Sequence, residues 1–153
     1  MAWVSSASAS QKPSSPNPLS VLFIDGFERD RQRSVAGLRA IDPRYVIYEA
    51  ASSHDGLILY KSHPIDCVVL ELYLIDASGF DVLETLIPST VLLEIAIIVL
   101  TRFNHLSLLE VAKINGAYTA LVKDFTAPMV LHESIVEAVA SVEARICEPT
   151  RNP

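Results

Sequence analysis

Five short apolar runs punctuate the middle of the chain: residues 21–24 (VLFI), 45–48 (YVIY), 67–70 (CVVL), 96–100 (AIIVL) and 118–122 (YTALV). They are rich in β-branched or aromatic residues and are apolar at consecutive rather than alternate positions. That pattern suits strands of a parallel sheet covered on both faces. Each run is followed by a stretch of helical character, at residues 28–40, 53–62, 79–86, 106–115 and 128–146. In the last of these, Leu131, Ile135, Ala138, Val139 and Val142 recur on one face of a helix. Pro128 suits a first helical turn, where its missing N–H costs little. Asn115-Gly116 supplies a helix stop before the fifth run.

Five βα units in one chain predict a doubly wound α/β sandwich. With five strands, the flavodoxin-like (βα)5 order 2-1-3-4-5 follows. In such a sheet the functional crevice lies outside the carboxyl ends of the strands, at the switch point between strands 1 and 3.

Composition agrees with one domain of ordinary size. The chain has 153 residues, of which 50% are hydrophobic and 20% charged, enough apolar content for a sizeable core. Residues 1–18, rich in Ser, Ala and Pro, are expected to form a flexible tail, residues 19–146 the domain, and residues 147–153 a second short tail. A formal net charge of −6 gives no basic footprint for nucleic acid or for anionic lipid. No apolar run reaches the about 18 residues needed to span a bilayer, and the N-terminus lacks the pattern of a secretory signal. Cys67 and Cys147 make neither a disulfide framework nor a metal cluster, and Cys67 reads as a small core residue. His54, His63, His105 and His132 have no metal-ligand spacing. The reducing cytoplasm is the expected compartment.

The crevice rule directs attention to the strand ends. The first run is closed by Asp25, the residue just after it, and the third, fourth and fifth likewise by Glu71, Thr101 and Lys123. Two carboxylates, a hydroxyl and an ammonium are therefore expected at one edge of the sheet. Each alone could be a solvated or ion-paired residue; four at the matching ends of four strands point to a site.

Here the sequence resembles the receiver domain of two-component response regulators, over about residues 19–145. The segments YEAASSHDGL, DCVVLELYLIDASGFDVLETL and NGAYTALVKDF carry the resemblance, with Ser78-Gly79-Phe80 matching the small turn that opens the third helix. It implies a phosphoacceptor position at Glu71, switch and pocket residues at Thr101 and Lys123, and a Mg²⁺-holding acidic pair at Asp25-Gly26. It implies a non-enzymatic module of bacterial two-component phosphorelay signalling. Partners would be proteins such as a sensor histidine kinase or a downstream regulator. A homodimer through the fourth helix, fifth strand and fifth helix is a further arrangement that the resemblance allows.

The sequence departs from the family at four places. The acceptor position holds Glu71 rather than Asp, and the second acidic position is Gly26. The usual aromatic switch position is Ala120, and Asp124 rather than Pro follows the lysine. Glu in place of Asp moves the carboxylate outward by about 1.5 Å, and misplacement on that scale costs about 10²-fold in rate. With Gly26 in the acidic pair, Mg²⁺ is expected to bind weakly at Asp25 with Glu71, and no cofactor is required. Two readings of Glu71 stay open: a carboxylate that imitates a phosphoryl group by pairing with Lys123 and accepting from Thr101, or a structural ion pair at a vestigial site. Asp76, five residues beyond the strand end, is too distant to replace the acceptor.

The leading expectation is an atypical receiver that acts by protein–protein contact with phosphorylation lost or impaired. The alternative is a receiver that still accepts a phosphoryl group from a histidine kinase with Mg²⁺. A flavin or nucleotide site on the same sheet order would need a glycine-rich phosphate loop after the first strand, and DGFERDRQ is acidic with one glycine. If the phosphate switch is lost, output must pass through the surface. In FNHLSLLEVAKING, Leu109 and Ala112 suit the core-facing stripe, leaving Phe103, Leu106 and Leu108 as an apolar interaction surface. The start of the first long helix, ERDRQR, alternates in charge and reads as a solvated face.

Overall fold

The computed structural model describes residues 16–87 and 95–147. The elements alternate strictly: β1 (Ser20–Ile24), α1 (Glu28–Ile41), β2 (Val46–Ala50), α2 (Ser53–Ser62), β3 (Cys67–Leu70), α3 (Gly79–Leu86), β4 (Ala96–Thr101), α4 (Leu106–Ile114), β5 (Thr119–Val122) and α5 (Pro128–Ile146), with a 3₁₀ turn at Lys123–Phe125. The strands form one parallel sheet in the order β2-β1-β3-β4-β5. This is the flavodoxin-like doubly wound order. The expected tails lie outside the described residues, apart from Pro16, Asn17 and Pro18, which are exposed, and Cys147.

Alternation of side chains along each strand splits the interior into two cores. Leu22, Ile24, Val68, Leu70, Ile97 and Val99 face α2, α3 and α4, meeting Val82, Leu83 and Ala112. Val21, Phe23, Cys67, Val69, Ile98 and Leu100 face α1 and α5, meeting Val35, Leu38, Leu131, Ile135 and Ala138. Both faces of β1, β3 and β4 are covered, which is why those runs are apolar throughout. The edge strands β2 and β5 are only partly covered. Cys67 is a buried core residue.

Most boundaries fall within one or two residues of expectation, and two of the shifts leave a tyrosine outside its strand. β2 begins at Val46, not Tyr45, because its register with β1 runs from Ser20–Val46 to Ile24–Ala50. Tyr45 precedes the strand, buried, with its hydroxyl 2.7 Å from His132 Nδ1 on α5. At the other edge, Tyr118 lies outside β5 and is exposed.

Local chemistry sets the helix starts that frame the crevice. Ser78 caps α3 in a reciprocal box with Asp81. Gly79 then packs so closely on the end of β3 that a Cβ there would lie 2.6 Å from Leu72 Cα and 2.7 Å from the Glu71 carbonyl oxygen. The turn that opens α3 therefore fixes the backbone of residue 71. At the end of α4, Gly116 adopts φ 111°, a left-handed conformation that stops the helix. Asp76 is not free in its loop. Its carboxylate accepts from the Ser53 N–H at 2.9 Å, the Ser53 hydroxyl at 2.7 Å and the His54 N–H at 3.0 Å, capping α2 from across the edge of the sheet. These three bonds, led by the Ser53 N–H, hold its pKa down at about 2.

Candidate functional site

The parallel register brings the carboxyl ends of β1, β3, β4 and β5 to one edge. The Asp25 N–H donates to the Ala50 carbonyl at 2.9 Å and the Glu71 N–H to the Ile24 carbonyl at 3.0 Å. Thr101 ends β4, and Lys123 directly follows β5. Asp25, Glu71 and Thr101 are buried, with Glu71 only 1% exposed.

Lys123 is the hub. Its Nζ lies 2.6 Å from Asp25 Oδ2, 2.9 Å from Glu71 Oε2 and 3.1 Å from Asp30 Oδ2. An ammonium has three N–H donors, and each carboxylate takes one. Burial alone would lower the Lys123 pKa. The contacts with Asp25 and Glu71 outweigh it, so the net direction is upward and the side chain is charged. For Asp25, burial dominates and raises its pKa, against the opposing pull of Lys123 and of the Phe27 N–H, which donates to Oδ1 at 2.8 Å.

The Glu71 carboxylate is saturated. Oε1 accepts from the Thr101 hydroxyl at 2.5 Å and the Tyr73 N–H at 3.2 Å. Oε2 accepts from the Arg102 N–H at 3.1 Å and pairs with Lys123. Four donors occupy the four acceptor directions of one carboxylate, so its burial is fully compensated.

Three features of the site are absent from the sequence-based expectation. Asp30, in the first turn of α1, supplies a third carboxylate. Its Oδ2 also accepts from Arg102 Nε at 2.6 Å, and that bond, ahead of Lys123, holds the Asp30 pKa down. Arg102 lays its guanidinium 3.7 Å over the Phe27 ring. Phe27, Tyr73 and Phe103 form an aromatic row across the mouth, with centroids 6.2 Å apart at each step. The start of α1 is thus not a purely solvated face. Gln32 does pair with Glu28 at 3.2 Å along the surface. Arg31, however, turns inward, donating to the Asp25 carbonyl at 2.5 Å and pairing with Glu49 at 3.1 Å. A signal for Arg31 exists in the sequence: it lies on the same stripe as the buried Val35 and Leu38, at i, i+4 and i+7. Nothing in the local pattern marks Asp30 or Arg102, because their contact spans 72 residues.

The apolar surface expected on α4 is corrected at one residue. Phe103 and Leu106 are exposed. Leu108 is half-buried and packs on the core beneath α4, on the same face as the buried Ala112 at i+4. Leu108 and Leu109 lie four and three residues before the buried Ala112, and both are half-buried, so the stripe that meets the sheet includes Leu108 as well as Leu109.

The donor set does not fit Mg²⁺. Glu71 is saturated, the second acidic position is Gly26, and Asp25 and Asp30 both converge on an ammonium that would repel a divalent cation. The Lys123 ammonium lies against both Asp25 and Glu71, the residues expected to hold the metal weakly. Among the described residues, no group of three His, Cys, Asp or Glu side chains is placed to hold a metal. None of their helices is long and apolar enough to cross a membrane.

Fold and site define a doubly wound domain with charged strand ends gathered around one lysine. The model of the response regulator receiver domain family matches residues 21–136, and the chain belongs to that family. Among solved structures, it is similar to the CheY-like response regulator receiver domain protein from Methanospirillum hungatei JF-1, with 20% identity, 84% of this chain and 99% of that one covered, and a TM-score of 0.71. The receiver domain protein from Clostridium thermocellum gives 23% identity, 83% and 98% coverage, and 0.71. The signal receiver domain of an HD domain-containing protein from Pseudomonas fluorescens Pf-5 gives 22%, 84% and 99%, and 0.71. No curated protein matches the chain in a sequence search.

Proposed function

We propose that this receiver domain signals through protein–protein contact from a constitutively charged site, with Glu71 standing in for a phosphorylated side chain and phosphoryl uptake lost. One observation carries the reading. The Glu71 carboxylate is held by the Thr101 hydroxyl, the Lys123 ammonium and two backbone N–H groups, those of Tyr73 and Arg102. These are the kinds of donor that would hold the oxygens of a phosphoryl group at the end of β3. A free acceptor would need an accessible oxygen for in-line attack and a metal to neutralise charge. Here the Glu71 oxygens are buried and saturated, and the Lys123 ammonium supplies a positive charge beside them.

Its partners in this reading are a sensor histidine kinase or a downstream regulator in the cytoplasm, met in part through the exposed Phe103 and Leu106. The test is exposure of the folded protein to a small acyl phosphate with Mg²⁺, followed by intact mass measurement, beside titration of ¹⁵N-labelled protein with Mg²⁺ and then beryllofluoride. The expected result is no phosphoryl adduct and no shift at the amides of Asp25, Glu71, Thr101 and Lys123. A Mg²⁺-dependent adduct would overturn the reading and establish the phosphorylatable alternative.

A further inference from the structure

The edge of the sheet opposite the charged site holds a cavity. β4 begins at Ala96, but its register with β5 starts at Ile98–Thr119, so Ala96 and Ile97 extend beyond the first residue of β5. The last turns of α4 and α5 reach the same edge, because both helices run back against the strand direction. The space between these elements is about 300 Å³, the lower end of the range for small-molecule sites. Its floor is apolar: Ile95, Ile97 and Ala117 are buried, and Val142 is half-buried. Its rim carries Tyr118, Ser141 and two exposed cations, Lys113 and Arg145. Ser141 and Arg145 lie one turn apart on α5 and so share a face. No carboxylate stands among the described residues that line it, in a chain with 18 Asp and Glu against 12 Lys and Arg.

We infer that this cavity binds a small amphipathic anion, a carboxylate on a short apolar chain. The chain lies on the floor of Ile95, Ile97, Ala117 and Val142, and the carboxylate is taken at the rim by Lys113 and Arg145. Both cations lie in the last turn of a helix, where positive charge also complements the dipole. That role does not use them up, because backbone donors already meet the carbonyls there. The Gly116 N–H donates to the Lys113 carbonyl, the Ala117 N–H to that of Ala112 and the Cys147 N–H to that of Glu143, each at 3.1 Å. Lys113 pairs with Glu110 at 2.8 Å, an exposed contact three residues along one helix that competes weakly with a bound anion. Arg145 has no ion-pair partner among the described residues, and its planar fork suits a carboxylate. The inference is independent of the reading of Glu71, whose carboxylate lies at the other end of the strands.

The test titrates the ¹⁵N-labelled full chain with sodium octanoate, sodium hexanoate and octylammonium chloride, followed by amide NMR. Octanoate should give saturable shifts at Ile97, Ala117, Tyr118 and Ser141 while Asp25 and Lys123 stay still. Each buried methylene strengthens binding about fourfold, so hexanoate should bind about tenfold or more weakly. Octylammonium, with the same chain and the opposite charge, should also bind at least about tenfold more weakly. Lys113→Gln combined with Arg145→Gln alters two exposed positions and should weaken octanoate about tenfold, with unchanged amides within β1 and β3 reporting an intact fold. Absence of saturable shifts would overturn the inference, as would shifts centred instead on the exposed Leu106. Equal affinity for octylammonium, or an unweakened double variant, would remove the anion site. Equal affinity for hexanoate would remove the role of the apolar floor, and either result overturns the proposal as stated.

Discussion

Lys123 Nζ lies 2.9 Å from Glu71 Oε2, across the intervening strand β4, and both side chains are almost wholly withdrawn from solvent. The pair is the centre of a cluster in which three carboxylates face two cations, Lys123 and Arg102. Its balance depends on the lysine.

Lys123→Met keeps the length of the side chain and removes the charge. Asp25, Asp30 and Glu71 would then face one another with only Arg102 at the rim. Breaking a buried ion pair from one side costs about 3–5 kcal/mol, and urea denaturation at neutral pH should read a loss of that order. A change below about 1 kcal/mol would mean that the cluster is screened like a surface pair.

Restoring the family's acceptor requires two changes rather than one. Glu71→Asp withdraws the carboxylate from Thr101 and the two N–H groups, leaving buried donors without partners at about 1–3 kcal/mol. By itself it should still fail to bind Mg²⁺, because position 26 has no carboxylate. Glu71→Asp with Gly26→Asp should gain Mg²⁺-dependent amide shifts at Asp25. The added Cβ at residue 26 would lie 3.1 Å from the Ala51 carbonyl oxygen, so that backbone must yield slightly. Mg²⁺ binding by Glu71→Asp alone would show that Asp25 and the restored Asp suffice.

Asp76 ties the loop after β3 to the start of α2, and its pKa of about 2 lies below the ordinary 3.8. Between those values the unfolded chain binds more protons than the folded one, so stability rises with pH there. Its contribution is complete above about pH 4 and disappears as pH falls through about 2. Asp76→Ala should lower the melting temperature by about 2–4 °C at pH 7, the effect of losing a helix cap in a chain of this size. The gap between variant and wild type should close on acidification to pH 2. A gap that persists there would assign the effect to packing instead.

Leu106 and Leu108 lie two residues apart on α4 but should respond differently to truncation. Leu106→Ser, at an exposed position, should change stability by less than about 0.5 kcal/mol. Leu108→Ala should cost about 1–3 kcal/mol, because Leu108 packs on the core with Ala112. Thermal melts of the two variants distinguish this arrangement from one in which both leucines face solvent.

The sequence carried the fold further than the site. β1, β3 and β4 are legible because both their faces are buried, so their apolar runs have no polar gaps. β2 begins one residue later than the apolar run suggests, because Tyr45 has the character of a strand residue but is buried with its hydroxyl on His132. Asp25, Glu71, Thr101 and Lys123 could be read because strand ends converge by topology, before any side chain is placed. Asp30, Arg102 and the row of Phe27, Tyr73 and Phe103 could not. Each lies on a helix or loop whose crossing over the sheet is set by tertiary packing, and no local spacing encodes it. Leu108 and Leu109 both precede Ala112 by about one turn, and helical spacing alone does not say that the sheet receives both.

Lys123 and Asp30 are 93 positions apart in the chain, and this separation assigns the ion cluster a place in time as well as in space. A contact that closes so long a loop is costly before the intervening strands have paired. The cluster should therefore assemble late, downstream of the folding transition state, and act chiefly as a brake on unfolding. In a chevron analysis, Lys123→Met should steepen no limb and should leave the folding rate near its wild-type value. Almost all of its lost stability should appear as faster unfolding, so the lysine that organises the site also governs how long the native state persists once formed.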